Sequence, residues 1–384
     1  MGQKKPVQYT TYKVVEKPVR RKRRGGGFLS FLLKLLVITI IIILILNLPQ
    51  TKPYVQKAKD KIKEWWDGLP PLVYREYAGS VDYTIIRTVM LNVSGGSITY
   101  DLKYQLPQDL SSGYFELQKI SSISSSPART MDGSTMTWTG TASSTSPGVV
   151  TITYNFRANG YIWSITPEQS GNLSDIPASL KNTYCVNEWP TQDGKYIIHP
   201  SDPTVASIAS QLSYNETNVY LLIDNIYNYM LNNYKYYSRS GLPKTATQTL
   251  QDKWGDCDDQ SALMMSLLRT LGIPCRMCLG LLYNPSTGQW GGHAWIEVYI
   301  PLKAGGGVNA TIDVVNKEFL FRDAYRLQEF TDTGNGDDLK NAYYQLSYRS
   351  ISGRPEVQFS DTITTVSAET HGSIKIPVDI PFLP

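Results

Sequence analysis

The chain has 384 residues, 41% of them hydrophobic and 18% charged. That length suits two or three domains, and the balance of apolar to charged residues excludes a mainly disordered chain. The net charge of +4 is concentrated: residues 1–24 hold nine Lys and Arg against Glu16. The remainder is slightly acidic, so a polyanion binder is excluded and no nucleic acid is expected as a partner.

Residues 1–27 read as a basic cytoplasmic tail. From Phe28 to Leu48 the sequence is FLSFLLKLLVITIIIILILNL, with Lys34 as its one charge. At about 1.5 Å per residue this run crosses a hydrocarbon layer of ~30 Å. Lys34 lies near the tail end and can snorkel to the interface. The lipid bilayer is thus the expected partner of residues 28–48, and the basic cluster before them places everything after Pro49 outside. A cleaved signal peptide would carry a shorter apolar core and a small-residue exit. Here the exit is Asn47-Leu48-Pro49-Gln50, which favours an uncleaved anchor. Residues 49–73 read as a juxtamembrane stalk, with a short polar helix over 51–68 that ends in Trp65 and Trp66 before Leu69-Pro70-Pro71 stops it.

Over residues 74–165 the period changes to two. Tyr83, Ile85, Val89, Leu91 and Val93 share one face. Ile98, Tyr100, Leu102, Tyr104 and Leu106 alternate with polar residues, and so do Val150, Ile152, Tyr154 and Phe156. Such alternation predicts half-buried antiparallel strands, with Thr137-Trp138-Thr139 as a further one. Turns are expected at Ser94-Gly95-Gly96 and Pro147-Gly148. Together these features predict a small β-sandwich that serves as spacer or recognition module.

Residues 166–345 mix helix and strand. Ser201-Asp202-Pro203 starts a helix carrying Val205, Ile208 and Leu212, and a second runs from about Glu216 through Met230. At Trp254-Gly255-Asp256 a turn leads into a third helix, with Cys257 at its mouth and Gly272 closing it. A thiol placed there meets the positive end of the macrodipole and free backbone N–H groups, which favour thiolate. Asp256, Asp258 and Asp259 oppose this by like charge, so a cationic partner is required.

The chain has three histidines: His199, His293 and His371. His293 stands in GGHAWIEVYI, where it shares one strand face with Trp295, Glu297 and Tyr299. Gly291 and Gly292 leave the approach uncrowded. After the turn at Gly305-Gly306-Gly307, a second strand places Asp313 between Ile312 and Val314. A carboxylate on a buried strand needs a partner, and a neighbouring imidazole would serve. Cys185, Cys275 and Cys278 leave room for one intramolecular disulfide at most, and Cys275-x-x-Cys278 lacks the second pair a zinc site needs. Four Asn-x-Ser/Thr sequons (Asn92, Asn172, Asn215, Asn309) fit an exported chain. No phosphate loop, dinucleotide motif or histidine pair calls for a cofactor or metal. Residues 346–384 read as short β-patterned runs with an extended end.

The G-D-C before a helix, the L-L-R-x-L-G-I-P of Leu267–Pro274, the G-H-A-W-x-E-V-Y of Gly292–Tyr299 and the following Ile312-Asp313 occur in one order. In this the chain resembles the transglutaminase-like superfamily, papain-like thiol enzymes, over roughly 200–320. The resemblance implies an α+β core in which the Cys257 helix packs on an antiparallel sheet. It implies Cys257 as nucleophile, His293 as general base and Asp313 as the residue orienting His293, with the Cys257 backbone N–H as one oxyanion donor. The expected molecule is a single-pass membrane protein with its thiol domain outside the cell. It would cleave or transfer peptide, isopeptide or Gln side-chain amides of a protein or peptide at the cell surface, and hydrolysis is favoured over cross-linking. The rival expectation is an inactive module of the same fold that binds cell-envelope protein or glycan.

Overall fold

The computed structural model describes residues 74–239, 241–334, 339 and 345–377. The basic tail, the apolar run 28–48 and the stalk lie outside the described residues. Among those described, no helix is long and apolar enough to cross a membrane. The alternating segment forms β1 (Tyr74–Gln105), β2 (Leu110–Ser112), β3 (Phe115–Ser126), β4 (Thr130–Asp132), β5 (Thr135–Ser143) and β6 (Gly148–Asn159). Helices α1 (Ala178–Tyr184), α2 (Pro203–Leu212), α3 (Val219–Asn233), α4 (Ala246–Asp252) and α5 (Cys257–Thr270) follow. The chain then returns to strands β7 (Cys275–Asn284), β8 (Gln289–Pro301), β9 (Gly307–Asp313), β10 (Glu318–Phe319), β11 (Arg326–Thr331) and β12 (Gln345–Pro377).

The first sheet has seven strands in the order β2-β3-β6-β1-β5-β4, with β12 on β1. On one side β1 pairs with β12 from Tyr74 opposite Pro377 to Lys103 opposite Gln345. On its other side β6 covers Ser80–Leu91 and β5 covers Ser97–Gln105. The turn expected at Ser94-Gly95-Gly96 is a bulge inside one continuous strand. Register shifts there, Gly95 and Gly353 both take φ of 70°, and a Cβ on Gly96 or Gly353 would strike the facing backbone. The inserted residue switches parity, so odd-numbered Ile85, Val89 and Leu91 and even-numbered Ile98, Tyr100 and Leu102 enter the same core. What the alternation predicts as a sandwich is therefore a single hydrogen-bonded sheet sharing one long strand. The described part of 346–384 is likewise one 33-residue strand of that sheet rather than a set of short runs.

The second sheet has five antiparallel strands in the order β10-β9-β8-β7-β11, and α5 packs on β7 and β8. Each helix begins where its local chemistry directs. Asp202 caps α2 with Pro203 in the first turn, and the Asn218 side chain caps α3, three residues beyond the start its periodicity suggests. Asp256 and Asp259 form a capping box on α5. At its other end Gly272 takes φ of 74°, its N–H reaching Arg269 O at 3.0 Å while Ile273 N reaches Leu268 O at 3.0 Å. That is the Schellman pattern that only glycine accepts cheaply. Leu263, Met264, Leu267 and Leu268 are fully buried, each stabilising by about 1.5–3 kcal/mol relative to exposure.

The same helix also buries a cation. Arg269 donates to Glu188 Oε2 at 2.7 Å, to Asp332 Oδ2 at 2.6 Å and to the Cys275 carbonyl at 2.8 Å. It thereby ties the helix end to the segments carrying Glu188 and Asp332. Arg269→Met would strand two carboxylates and should lower unfolding free energy by about 3–5 kcal/mol, read from the urea midpoint of the full chain.

Candidate active site

Cys257 is the first residue of α5, half-buried at its N-terminus. A two-residue parallel bridge, Lys235–Tyr236 with Trp254–Gly255, holds the chain entering the helix, and Gln260 Nε2 donates to Gly255 O at 3.0 Å. Of the three aspartates expected to oppose a thiolate, Asp259 is buried outside the cleft. Its Oδ1 accepts from the Lys244 amide at 2.6 Å and from Arg239 Nη1 at 3.4 Å, so its charge is spent on the neighbouring loop. Asp256 accepts from the Asp259 amide at 3.3 Å as the cap.

His293 projects from β8, opposite Gly280 of β7. Gly280 must be glycine, because a Cβ there would strike the Leu327 carbonyl at the bulge where β7 meets β11. Asp313 ends the neighbouring strand β9, and its Oδ2 stands 2.7 Å from His293 Nε2. Cys257 lines the same cleft as the imidazole, and its thiol helps to raise the His293 pKa. Of the three residues singled out in the sequence, the structure joins His293 to Asp313 by a hydrogen bond and places Cys257 and His293 on the same cleft. Gly291 and Gly292 have open space where a Cβ would stand, as their place before His293 suggests.

Two residues the sequence reading missed complete the group. Asn316 donates from Nδ2 to Asp313 Oδ2 at 2.9 Å and from its amide to Oδ1 at 3.1 Å, with Nδ2 also 3.2 Å from His293 Nε2. Arg326 Nη2 lies 3.6 Å from Asp313 Oδ2 while bonded to Glu318 at 2.5 Å and Asp323 at 3.0 Å. Its guanidinium also sits 4.9 Å over the Trp295 ring, which stacks beside His293.

The electrostatics follow from this packing. Burial works against an imidazolium, but the Asp313 charge and hydrogen bond, aided by the Cys257 thiol, raise His293 to about 10. Burial likewise works against the Asp313 carboxylate, yet His293, then Arg326 and the Asn316 amide hold it at about 2. At neutral pH the pair is charged. The other thiols are free and unsuited to reaction, since burial pushes Cys185 up to about 11, Cys275 up to about 12 and Cys278 well above its ordinary range.

Cys257 and His293 open into a cleft of about 350 Å³. One lip carries Tyr236, Arg239, Asp256 and Asp258. Arg87, Tyr104, Glu329 and Asp361, from the first sheet and from β11, line the cleft as well. The alternating region therefore contributes to the cleft itself and is more than a spacer.

Folding raises His293 above its ordinary 6.5, so its contribution to stability is complete below 6.5 and lost as pH climbs through about 10. Asp313 is depressed from 3.8, so its contribution is complete above 3.8 and lost as pH falls through about 2. Asp313→Asn should therefore drop the His293 titration midpoint well below the wild-type value and shrink the alkaline loss of stability. With three histidines in the chain, NMR of the imidazole carbons reads this directly.

Residues 206–307 match the family model of the transglutaminase-like superfamily, a span holding Cys257 and His293 and stopping just short of Asp313. No curated protein sequence matches the chain. Among solved structures, a candidate cysteine protease from Cytophaga hutchinsonii is 16% identical with a TM-score of 0.51, covering 78% of this chain and 95% of that one. At that identity the likeness is one of fold, and it extends beyond the helical core. The periplasmic domain of TgpA from Pseudomonas aeruginosa is 14% identical with a TM-score of 0.32, covering 58% of this chain and 71% of its own. LapG from Legionella pneumophila is also 14% identical, with a TM-score of 0.27 over 36% and 80% of the two chains.

Proposed function

The chain carries a transglutaminase-like domain, and on that premise we propose that it is a thiol enzyme cutting amide bonds at the outer face of a membrane. The observation that carries the reading is a buried His293, bonded to Asp313, that lines one cleft with Cys257 at the start of α5. A lone cysteine at a helix start or a lone strand histidine would be ordinary packing. Joined in this order, they match what nucleophilic catalysis requires.

In this mechanism the Cys257 sulfur attacks the carbonyl carbon of a peptide, isopeptide or Gln side-chain amide. The new oxyanion accepts a hydrogen bond from the Cys257 backbone N–H, one of the donors a helix N-terminus leaves without an intrahelical partner. His293 passes its proton to the departing amine or ammonia, and a thioester remains on Cys257. Water then gives a proton to His293 and attacks the thioester, releasing the acid and restoring the thiol. Asp313 keeps the imidazole oriented and supports its charged form; Asn316 and Arg326 hold Asp313 in turn. Hydrolysis is favoured over transfer to an amine because Cys257 is only half-buried and its lip is exposed, Tyr236 being 52% accessible. Water therefore reaches the thioester from that side.

The anchor belongs to the same proposal. Residues 28–48 span the bilayer with the basic tail in the cytoplasm, so the cleft meets proteins or peptides outside the cell.

Alkylation of the full chain, followed residue by residue by mass spectrometry across pH, tests the reading. Cys257 should react fastest of the four cysteines, and His293→Ala should slow it. Amide turnover should fall by roughly 10²–10⁴ in His293→Ala and vanish in Cys257→Ala. A Cys257 that alkylates no faster than buried Cys275 would sink the proposal and leave a non-catalytic binding module.

A further inference from the structure

We propose that Cys185 and Cys275 are a disulfide-forming pair, whose closure leaves Cys257 as the one thiol within reach of solvent. The inference takes its oxidising surroundings from the placement outside the cell proposed above. Its own evidence lies at the opposite end of α5 from Cys257.

The chain has four cysteines, all of them thiols in the structure. Cys185 closes α1, its amide donating to Lys181 O at 2.9 Å, and Cys275 opens β7. One guanidinium grips the backbone at both places. Arg269 Nη1 donates to the Val186 carbonyl at 3.2 Å, and its Nη2 donates to the Cys275 carbonyl at 2.8 Å. On the other side of Cys185, the Tyr184 ring lies 6.0 Å from the Arg276 guanidinium. Both neighbours of Cys185 are thus tied, through one side chain each, to Cys275 or to the residue after it. The two thiols also sense each other: burial raises Cys275 to about 12, Arg269 opposes this and Cys185 adds to it.

The other pairings fit less well. Cys278 stands three residues beyond Cys275 on one strand, so the two side chains leave opposite faces. Cys275, Met277 and Leu279 join the core under α5, and Cys278 does not. Cys257 begins α5 while Cys275 lies past its end, with the 14 residues of the helix at about 1.5 Å each between them. Exposure gives the pair a purpose. Cys275 and Cys278 are buried, whereas Cys185 and Cys257 are each half-buried, so an external oxidant reaches both of the latter. A nucleophile must not be the thiol consumed, and Cys275 beside Cys185 offers the nearer partner.

The oxidant is another disulfide, RSSR, of a small molecule or a protein. Cys185 as thiolate attacks one of its sulfurs and RS⁻ leaves; Cys275 as thiolate attacks the Cys185 sulfur and a second RS⁻ leaves. Two protein thiols are oxidised, one external disulfide is reduced, and the two cysteine protons pass to the released thiolates. Burial, which raises Cys185 to about 11 and Cys275 to about 12, slows attack by either thiol in the folded chain, so closure belongs to folding. It also makes both poor leaving groups, and the closed bond resists reduction.

The test refolds the full chain from urea in oxidised and reduced glutathione, blocks the remaining thiols and maps the cysteines by mass spectrometry. The peptide holding Cys185 should be joined to the one holding Cys275, lighter by two hydrogens, with Cys257 and Cys278 outside any protein disulfide. The oxidised chain should melt at least about 5 °C above the same chain kept reduced, since a long loop is closed in the unfolded state. That comparison needs no variant; in Cys185→Ser the difference should vanish. Four unjoined cysteines, or Cys185 joined to Cys257 or Cys278, would each overturn the inference. Amide turnover by the full chain separates it from the enzyme reading. A Cys185–Cys275 bond in a chain without turnover keeps the pair and sinks the chemistry. Turnover in a chain that forms no such bond does the reverse, and a chain with neither overturns both.

Discussion

The ladder between β1 and β12 is the constraint on which the rest of the structure depends. It joins the first described strand to the last, and everything from β2 to β11 is strung between its two halves. Closing so long a loop costs more entropy than a short one, though the cost grows only logarithmically with length. A continuous ladder from Tyr74 to Lys103 supplies enough paired backbone to offset it. The same closure sets where the thiol domain can sit. Leu281 and Leu327 of the second sheet pack into the core of the first, so the two sheets share apolar surface as well as the cleft.

Inside the thiol domain, charge is arranged in tiers. Burial alone would leave His293 neutral, but the nearby carboxylate outweighs it. That carboxylate survives burial because His293, Arg326 and Asn316 face it. Arg326 in turn is held by Glu318 and Asp323, and Trp295 screens the group from solvent. No member would be stable in the interior by itself, and each is paired to the next. Preorganisation of this kind lets an imidazolium stand ready without solvent rearrangement.

The parts legible in the sequence were those with local signals. The Asp202-Pro203 start, the helix that opens at Cys257 and the alternation around His293 are each written within a few residues, and the structure places them accordingly. The Gly95-Gly96 pair misleads because glycine marks a turn and a bulge alike; only the facing strand, with Gly353, decides between them. Arg87 carried a signal that was passed over: it occupies an inward position between Ile85 and Val89, where a charge requires partners. Those partners, Glu329 and Asp361, lie on strands far along the chain, and no spacing rule reaches them. Arg269 and Asn316 were hidden for the same reason, the first inside a helical apolar run and the second in a turn just past Asp313.

The order of synthesis acquires a meaning from this topology. A ribosome delivers Cys257, His293 and Asp313 before it delivers β12, so these residues are made while Asp361 is still missing. Arrival of the last described strand both zips the first sheet and encloses the thiol's surroundings. Maturation of the cleft and completion of the fold are then the same event.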